Sequence, residues 1–393
     1  GRPPALTEKS LGTIRLRPGS RSPASQGHPW ILAAEVIKGP GKERDGQAVV
    51  ARGPTGELLG TGFYREGARI IWRRFRRDIG DFGGTWVRSA LTQALARRRE
   101  NSARRLLWSE ADAFPGLVLD QYGKHLVAQV TTLGMEKHWK IVEEAVFKTL
   151  KPEGIWLRRD APGRKLEGLD SHEPLAVGTV PTEPTRVEIG GLEVPVDLRG
   201  GQKTGTYLDQ QENYGKVSAL VRGRRVLDVF CHTGGFALRA AKAGAAPVTA
   251  LDQSEASLRL GRQAAGWHGL SVKWVEDDAF RFLRGVRKGE YDVIILDPPG
   301  LVKGGPGLEA GMRALGELHR QAFRVLPAGG ILATFSCSHR VGRSELLEVV
   351  RTSAHEAGKG VIRREILSQA ADHPVDLLFP ESEYLTGFLV EVT

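Results

Sequence analysis

The stretch Arg225-Val226-Leu227-Asp228-Val229-Phe230-Cys231-His232-Thr233-Gly234-Gly235-Phe236 decides how this 393-residue chain is read. An apolar, β-branched run ends in an acidic residue and passes through a small-residue turn. It then opens Phe236-Ala237-Leu238-Arg239-Ala240-Ala241, whose apolar spacing is helical. A strand feeding a helix in this way starts a doubly wound sheet. Gly234 and Gly235 carry no Cβ, so a ligand can lie against the backbone there. The glycines do not spell G-x-G-x-x-G, the pattern that seats a dinucleotide pyrophosphate at a helix N-terminus. Taken alone, the loop is as compatible with a tight connection as with a cofactor site.

The residues downstream decide between these. Val248-Thr249-Ala250-Leu251-Asp252 reads as a second strand with an acid at its carboxyl end, where ribose hydroxyls are held in such sheets. Gln253 follows, and Ser254 is placed to cap the next helix. A third strand, Val272-Lys273-Trp274-Val275, runs into Glu276-Asp277-Asp278-Ala279-Phe280, and a fourth, Tyr291 to Leu296, ends in Asp297-Pro298-Pro299. This ordered succession resembles the class I S-adenosylmethionine-dependent methyltransferases over about 215–393. The resemblance implies an α/β Rossmann-like domain with S-adenosylmethionine as cofactor. By the same resemblance, Asp228, Phe230, Cys231, Thr233, Gly234 and Gly235 wrap the methionine part. Asp252, Gln253 and Ser254 lie at the ribose, Asp278 and Ala279 beside the adenine, and Asp297 completes the site.

Composition sets the outer limits. A chain of this length with 40% hydrophobic residues has material for two or three cores. No apolar run approaches the roughly 20 residues of a membrane helix, and no signal peptide is visible, so no membrane partner is expected. The chain starts at Gly1, which points to a trimmed or tagged start. Cys231 and Cys337 are the two cysteines, far apart and at strand ends; the expectation is a reduced, cytoplasmic protein. No metal site is expected. The charge is unevenly placed: residues 1–100 hold 19 Lys+Arg against 9 Asp+Glu, while the remaining 293 hold 37 of each. Such a localised excess fits a phosphate backbone.

Residues 1–10 read as a tail. From 11 to 80, short strands with turn signals (Gly53-Pro54-Thr55-Gly56 between two of them) predict a small β-barrel. The last strand runs into Arg73-Arg74-Phe75-Arg76-Arg77, and the set resembles a PUA-like RNA-binding domain, including Gly27-His28-Pro29-Trp30. Arg73, Arg74, Arg76 and Arg77 are therefore expected at RNA phosphates. A connecting helix from Trp86 to Arg99 leads into strand–strand–helix–strand, a central α+β domain spanning 81–195. Its acids Glu110, Asp112 and Asp160 have no metal or acid–base partner at a telling spacing and are read as structural or RNA-groove residues. A hairpin around Gly190-Gly191 precedes the methyltransferase domain, 196–393.

Gly200-Gly201-Gln202-Lys203-Thr204-Gly205 lacks the P-loop spacing and a strand leading into it, so phosphate binding is rejected there. Continued through Tyr207-Leu208-Asp209-Gln210 to Asn213, it resembles a segment preceding the core of one RNA-methylating family. That resemblance implies closure over the cofactor, with Tyr207 and Gln210 in contact.

The fifth strand, Gly330 to Phe335, ends in Ser336-Cys337-Ser338-His339. Asp297 and Cys337 thus sit at the ends of strands expected to be neighbours, about 4.8 Å apart. A carboxyl and a thiol side by side suit methylation of a pyrimidine at carbon-5. Addition of a thiolate at carbon-6 makes carbon-5 nucleophilic. Free thiols titrate near ~8.5, so Cys337 needs local help to ionise. Asp297 can hold the base at N3 or its exocyclic amine. Cys231 is read as packing or cofactor contact, and His232 and His339 as candidate bases. The alternatives are methylation of a guanine nitrogen, disfavoured because Gly300-Leu301 rather than an aromatic follows Asp-Pro-Pro, and a catalytically silent RNA-binding protein. The full order resembles the bacterial cytosine-C5 methyltransferases of 23S ribosomal RNA. It implies large-subunit rRNA as partner, catalysis by Cys337 and Asp297, and allows a homodimer.

Overall fold

The computed structural model describes residues 8–301 and 307–393; residues 1–7, which hold most of the expected tail, and 302–306 lie outside the described residues. The chain folds into two compact units. The first comprises 1–185, 197–206 and 371–382; the second comprises 186–196, 207–370 and 383–393.

In the first unit a helical turn, α1 (Glu8–Leu11), leads into a five-stranded sheet. Its strands are β1 (Thr13–Arg15), β2 (Trp30–Leu32), β3 (Ala48–Arg52), β4 (Leu58–Tyr64) and β5 (Ile70–Arg76), in the order β1-β3-β4-β5-β2. The basic run therefore lies within a paired strand, with Arg73 opposite both Trp30 and Phe63. Helix α2 (Gly84–Ala96) connects to β6 (Ala103–Trp108), β7 (Leu117–Tyr122) and β8 (His125–Val130), followed by α3 (Leu133–Leu150), β9 (Gly154–Arg158) and β10 (Leu175–Gly178). These strands form a second sheet, β10-β9-β8-β7-β6. Helix α3 starts where the Thr132 hydroxyl accepts the Met135 amide and stops at Lys151, in the left-handed region at φ 48°. Phe63, Phe75 and Phe82 share one core with Leu106, Phe114 and Trp139. The expected barrel and central domain are thus joined by a common interior, while the first sheet keeps a second core of its own around Ile14, Ile31, Val49 and Trp72.

The second unit opens with the hairpin β11 (Thr185–Ile189) and β12 (Leu192–Val196), turned by Gly190 and Gly191 at φ 56° and 78°. Two consecutive left-handed residues are what a two-residue hairpin of this twist requires. The expected break after residue 195 is displaced: residues 186–196 belong to the second unit. Arg239 and Lys242 donate to the carbonyls of Ile189 and Gly191, which fastens the hairpin to the helix that carries them.

The core of this unit alternates α4 (Gln211–Ser218), β13 (Val226–Val229), α5 (Gly235–Lys242), β14 (Val248–Asp252), α6 (Glu255–Trp267), β15 (Lys273–Glu276), α7 (Ala279–Gly285), β16 (Val293–Leu296), α8 (Gly307–Val325), β17 (Ile331–Ser336), α9 (Arg343–Glu356), β18 (Val361–Ser368) and β19 (Thr386–Val392). The seven strands stand in the order β15-β14-β13-β16-β17-β19-β18, parallel except for β19. The order reverses between β13 and β16, so the carboxyl ends of those strands form the crevice in which ligands of such sheets bind. The expected α/β methyltransferase sheet, with its edge hairpin, is present.

The apolar stripe of α8 covers the sheet: Leu315, Leu318, Ala322 and Phe323 are buried, with Met312 packed at the margin. His319 lies on the same face and is fully buried. Its Nδ1 faces the Leu315 carbonyl at 2.7 Å, which can only accept, so the proton is on Nδ1, and Nε2 takes the Thr334 hydroxyl at 2.7 Å. Burial lowers its pKa to about 4 and keeps the ring neutral as a rivet between α8 and β17. Among the described residues no helix is long and apolar enough to cross a membrane.

Candidate active site

The turn from β13 into α5 is bent by residues that rarely adopt its conformation. Phe230 and His232 lie at φ 63° and 54°, and Gly234 at 79°. Side chains in the left-handed region cost free energy that the surroundings must offset, and such residues gather at ligand sites. Here the fixing bonds are visible: Cys231 N–H donates to Leu251 O at 2.9 Å, and His232 N–H to Asp252 Oδ2 at 2.8 Å. The two glycines have an internal reason as well. A Cβ on Gly234 would lie 2.5 Å from the Trp274 ring, and one on Gly235 2.5 Å from the Tyr214 hydroxyl. Packing against those two side chains, not only ligand approach, requires glycine at both positions.

Asp228 accepts the Ala237 amide on Oδ2 at 2.9 Å, while its buried Oδ1 has no protein donor. Burial, with Asp297 and Asp252 adding to it, pushes this carboxyl well above the usual carboxylate range. A buried acceptor at a strand end suits a cationic ammonium such as that of a bound methionine moiety. Cys231 is 6% exposed, and burial followed by Asp228 and Asp252 pushes its thiol up. It is held as a neutral packing group, which removes it from nucleophilic chemistry.

Asp252 binds the site together. Oδ2 takes the His232 amide and Oδ1 the Ser254 amide at 2.9 Å, leaving each oxygen capacity for one further donor. Two ribose hydroxyls match that remaining capacity. Ser254 caps α6 by accepting the Ser257 amide, and Asp278 caps α7 by accepting the Arg281 amide. The second Asp278 oxygen takes the Gln253 amide group at 2.9 Å, which ties the two strand ends to each other. Ala279 is buried below them. Asp252→Ala should raise the dissociation constant for S-adenosylmethionine on the order of 10²-fold, the loss of two charge-assisted bonds and of the loop anchor. Asp252→Asn should recover part of it. Isothermal titration reads both, and an unaltered constant would remove Asp252 from the ribose.

Asp297 and Cys337, the pair expected to react, follow the next two strands of the sheet, β16 and β17. Strands β16 and β17 run parallel with Leu296 opposite Thr334, so Asp297 and Cys337 leave the same end of neighbouring strands. Pro298, Pro299, Gly300, Leu301, Phe335 and Cys337 line one small cavity. Cys337 is partly exposed. Its turn is self-bonded: the Ser336 hydroxyl donates to Val341 O at 2.9 Å and accepts the Ser338 amide, and the Ser338 hydroxyl accepts the Arg340 amide. A cysteine at the crest of such a turn has little freedom to move.

Tyr207 completes the arrangement. Burial, then the neighbouring Asp297, Cys337, Asp209 and Asp252, push its phenol far above its ordinary value, so the hydroxyl stays protonated beside both members of the pair. Its ring meets that of His232 edge-on at 5.1 Å. His339 is exposed beyond the turn. Gln210 donates to Asp297 Oδ2 at 3.0 Å. The expected cofactor contacts Tyr207 and Gln210 are therefore neighbours of Asp297, whereas Gly200–Thr206 belong to the first unit, where Thr204 bonds Asp120 and Tyr122.

The basic run needs correction. Arg73, partly buried, lies between Glu110 and Glu167, at 2.7 Å from each, with Trp30 against its guanidinium. Arg74 is 8% exposed and donates to Gly27 O, and burial, then Arg77, lowers its pKa to about 10. Arg76 is tied to Asp78 and to Asp81 O. Arg77 alone of the four is exposed. Three of the four side chains are thus engaged within the first unit: Arg73 by carboxylates far away in sequence, Arg74 by a backbone carbonyl and Arg76 by the nearby Asp78. Glu110 and Asp112 are structural: Glu110 holds Arg73 and Trp30, and Asp112 holds Arg97 and Arg98. Asp160 pairs with Arg158.

Sequence reasoning passed over Asn213, Tyr214 and Trp274. The last two were hidden by looking like ordinary core aromatics; their signal lies only in the glycines that make room for them.

Comparison with known proteins bears on this geometry. A sequence profile described as S-adenosylmethionine-dependent methyltransferase matches residues 170–370, and one described as a PUA-like domain matches 14–77. Ribosomal RNA large subunit methyltransferase I of Aeromonas salmonicida is 35% identical over 376 residues, covering 92% of this chain and 95% of its own length. The Klebsiella pneumoniae protein of the same name is 32% identical over 401 residues, covering 98% of this chain and all of its own. In structure, the chain is similar to a SAM-dependent methyltransferase from Streptococcus mutans, with a TM-score of 0.81 at 18% identity over 97% of this chain and 100% of that one. A methyltransferase complexed with SAH gives the same TM-score at 19% identity, again over 97% and 100%.

Proposed function

Because the chain belongs to the S-adenosylmethionine-dependent methyltransferases of large-subunit ribosomal RNA, with a PUA-like domain ahead of its catalytic domain, we propose that it methylates carbon-5 of a cytosine through a covalent bond to Cys337. The observation that supports this reading is the placement of Asp297 and Cys337 just past the same ends of neighbouring parallel strands, with Cys337 lining a small cavity beside Pro298 and Pro299. A guanine-nitrogen methyltransferase has no use for a thiol there.

When bound, S-adenosylmethionine supplies an electrophilic methyl group carried on a sulfonium. The chain's own residues do the rest. Asp228, Asp252 and Asp278 bind the cofactor with the Phe230–Gly235 loop. The Cys337 sulfur adds to carbon-6, and the electron pair of the 5,6 double bond makes carbon-5 an enamine carbon. Asp297 accepts a hydrogen bond from the base's exocyclic amine and holds the ring in register. Once carbon-5 carries the methyl group, its proton leaves to a basic group or water. The pair re-forms the double bond, and the sulfur departs as thiolate. Such a base is reached only unpaired or flipped from its stack. The exposed Arg77 and the basic excess of the first hundred residues supply phosphate contacts.

Incubation with cofactor and large-subunit RNA from a strain lacking the protein should yield 5-methylcytidine, identified by nucleoside mass spectrometry. A methyl group on guanine or adenine would overturn the reading.

A further inference from the structure

We infer that Asn213 is a positioning residue for Asp297, acting through the Gln210 amide; the inference rests on Asp297 being the carboxylate that meets the base. The chain of bonds begins at a group with no choice of polarity. Ser368 O, at the end of β18, can only accept, and Asn213 Nδ2 donates to it at 2.9 Å. The same Nδ2 donates to Gln210 Oε1 at 2.7 Å. A primary amide has one accepting end and one donating end. With Oε1 engaged, Gln210 must turn Nε2 outward, and Nε2 donates to Asp297 Oδ2 at 3.0 Å. Asn213 and Gln210 are 1% and 2% exposed, so water cannot readily exchange for either partner.

The frame around the relay is fixed by other bonds. Asp209 O accepts the Ala370 amide at 2.9 Å, and Asp209 Oδ2 accepts the Tyr384 hydroxyl at 2.7 Å. Residues 209–213 are thereby fastened to the strand ends of the β18–β19 hairpin and its return. The polarity of a backbone carbonyl at the sheet edge is transmitted through two side-chain amides to the carboxylate beside Cys337. Asp297 is held as an acceptor in one orientation, which is the state needed to receive a donor from the base.

Inverting the polarity at 213 tests this. Asn213→Asp presents an acceptor to Gln210, so the amide turns over and sets Oε1 against Asp297. With the full chain, S-adenosylmethionine and a 23S rRNA fragment, Asn213→Asp should lower kcat at least about tenfold, the usual worth of a bond to a charged group, with KM for RNA and cofactor affinity within about twofold. In a Gln210→Ala background the same substitution should cost less than about twofold, because the relay is already cut. An equal cost in both backgrounds, or an effect confined to KM or cofactor affinity, overturns the inference. Asn213→Ala, which deletes the donor without inverting it, is run through the same cycle. It decides by the same criterion if the aspartate variant does not fold. The methylated nucleoside is identified in each reaction. A product other than 5-methylcytidine refutes the proposed function, while the coupling between 213 and 210 is still read from the rates.

Discussion

Cys337→Ala is expected to abolish turnover, on the order of 10³-fold or more, while S-adenosylmethionine still binds with nearly unchanged affinity. The separation follows from the geometry. The acids proposed to hold the cofactor lie at the ends of β13 and β14 and at the start of α7, whereas Cys337 crowns the turn after β17, held by Ser336 and Ser338. Removing one sulfur from a self-bonded turn leaves the Ser336–Val341 and Ser338–Arg340 bonds in place. Only the proposed nucleophile is lost. RNA containing 5-fluorocytidine supplies the complementary measurement. Fluorine replaces the proton that must leave, so the wild-type enzyme should accumulate a complex stable to denaturing gels, and Cys337→Ala should form none. Full activity in the alanine variant would exclude covalent catalysis.

The second large effect concerns stability. Arg73→Ala should destabilise the first unit by about 3–5 kcal/mol, the usual loss when one partner of a buried ion pair is removed. Both Glu110 and Glu167 would be stranded, with side chains 4% and 5% exposed. Although burial works against it, Arg73, Ser109 and Trp30 together hold the Glu110 carboxyl below the usual carboxylate range, and deleting Arg73 removes the largest opposing contribution. Arg77→Ala, one residue beyond β5 and exposed, should change stability by no more than about 0.5 kcal/mol. Urea unfolding followed by tryptophan fluorescence distinguishes the two, since Trp30 lies against Arg73. Equal small effects would mean that the buried triad contributes little.

These two cases mark what could be read from residues alone. The second unit was legible because its signals are local: strand, acid, small-residue turn and helix recur in order, and the strands are short and apolar. The place of Cys337 just past a strand end was legible in the same way. The arginine run was misread for the opposite reason. Whether Arg73 meets a phosphate or a carboxylate depends on Glu110 and Glu167, about 37 and 94 residues further on. No periodicity within the run records that encounter. Gln210 was singled out, but its bond to Asp297 could not be read, because its amide is oriented by Asn213, which is itself held by a carbonyl 155 residues further along. The glycines of the first loop carried two messages, ligand access and room for Trp274 and Tyr214, and sequence displays only the first.

The short return of the chain into its first half has a consequence for biogenesis. Residues 371–382 complete the amino-terminal unit: Asp372 receives the backbone amide of Arg105 and offers its carbonyl to Arg98, Ser382 O takes the Trp108 indole, and Phe379 stacks edge-on against Trp30 at 4.9 Å. During synthesis, therefore, the part of the protein that emerges first must wait, unfinished, for a dozen residues made almost last. Until those residues are made, the Arg105 amide, the Trp108 indole and the Trp30 ring lack the partners they have in the finished fold.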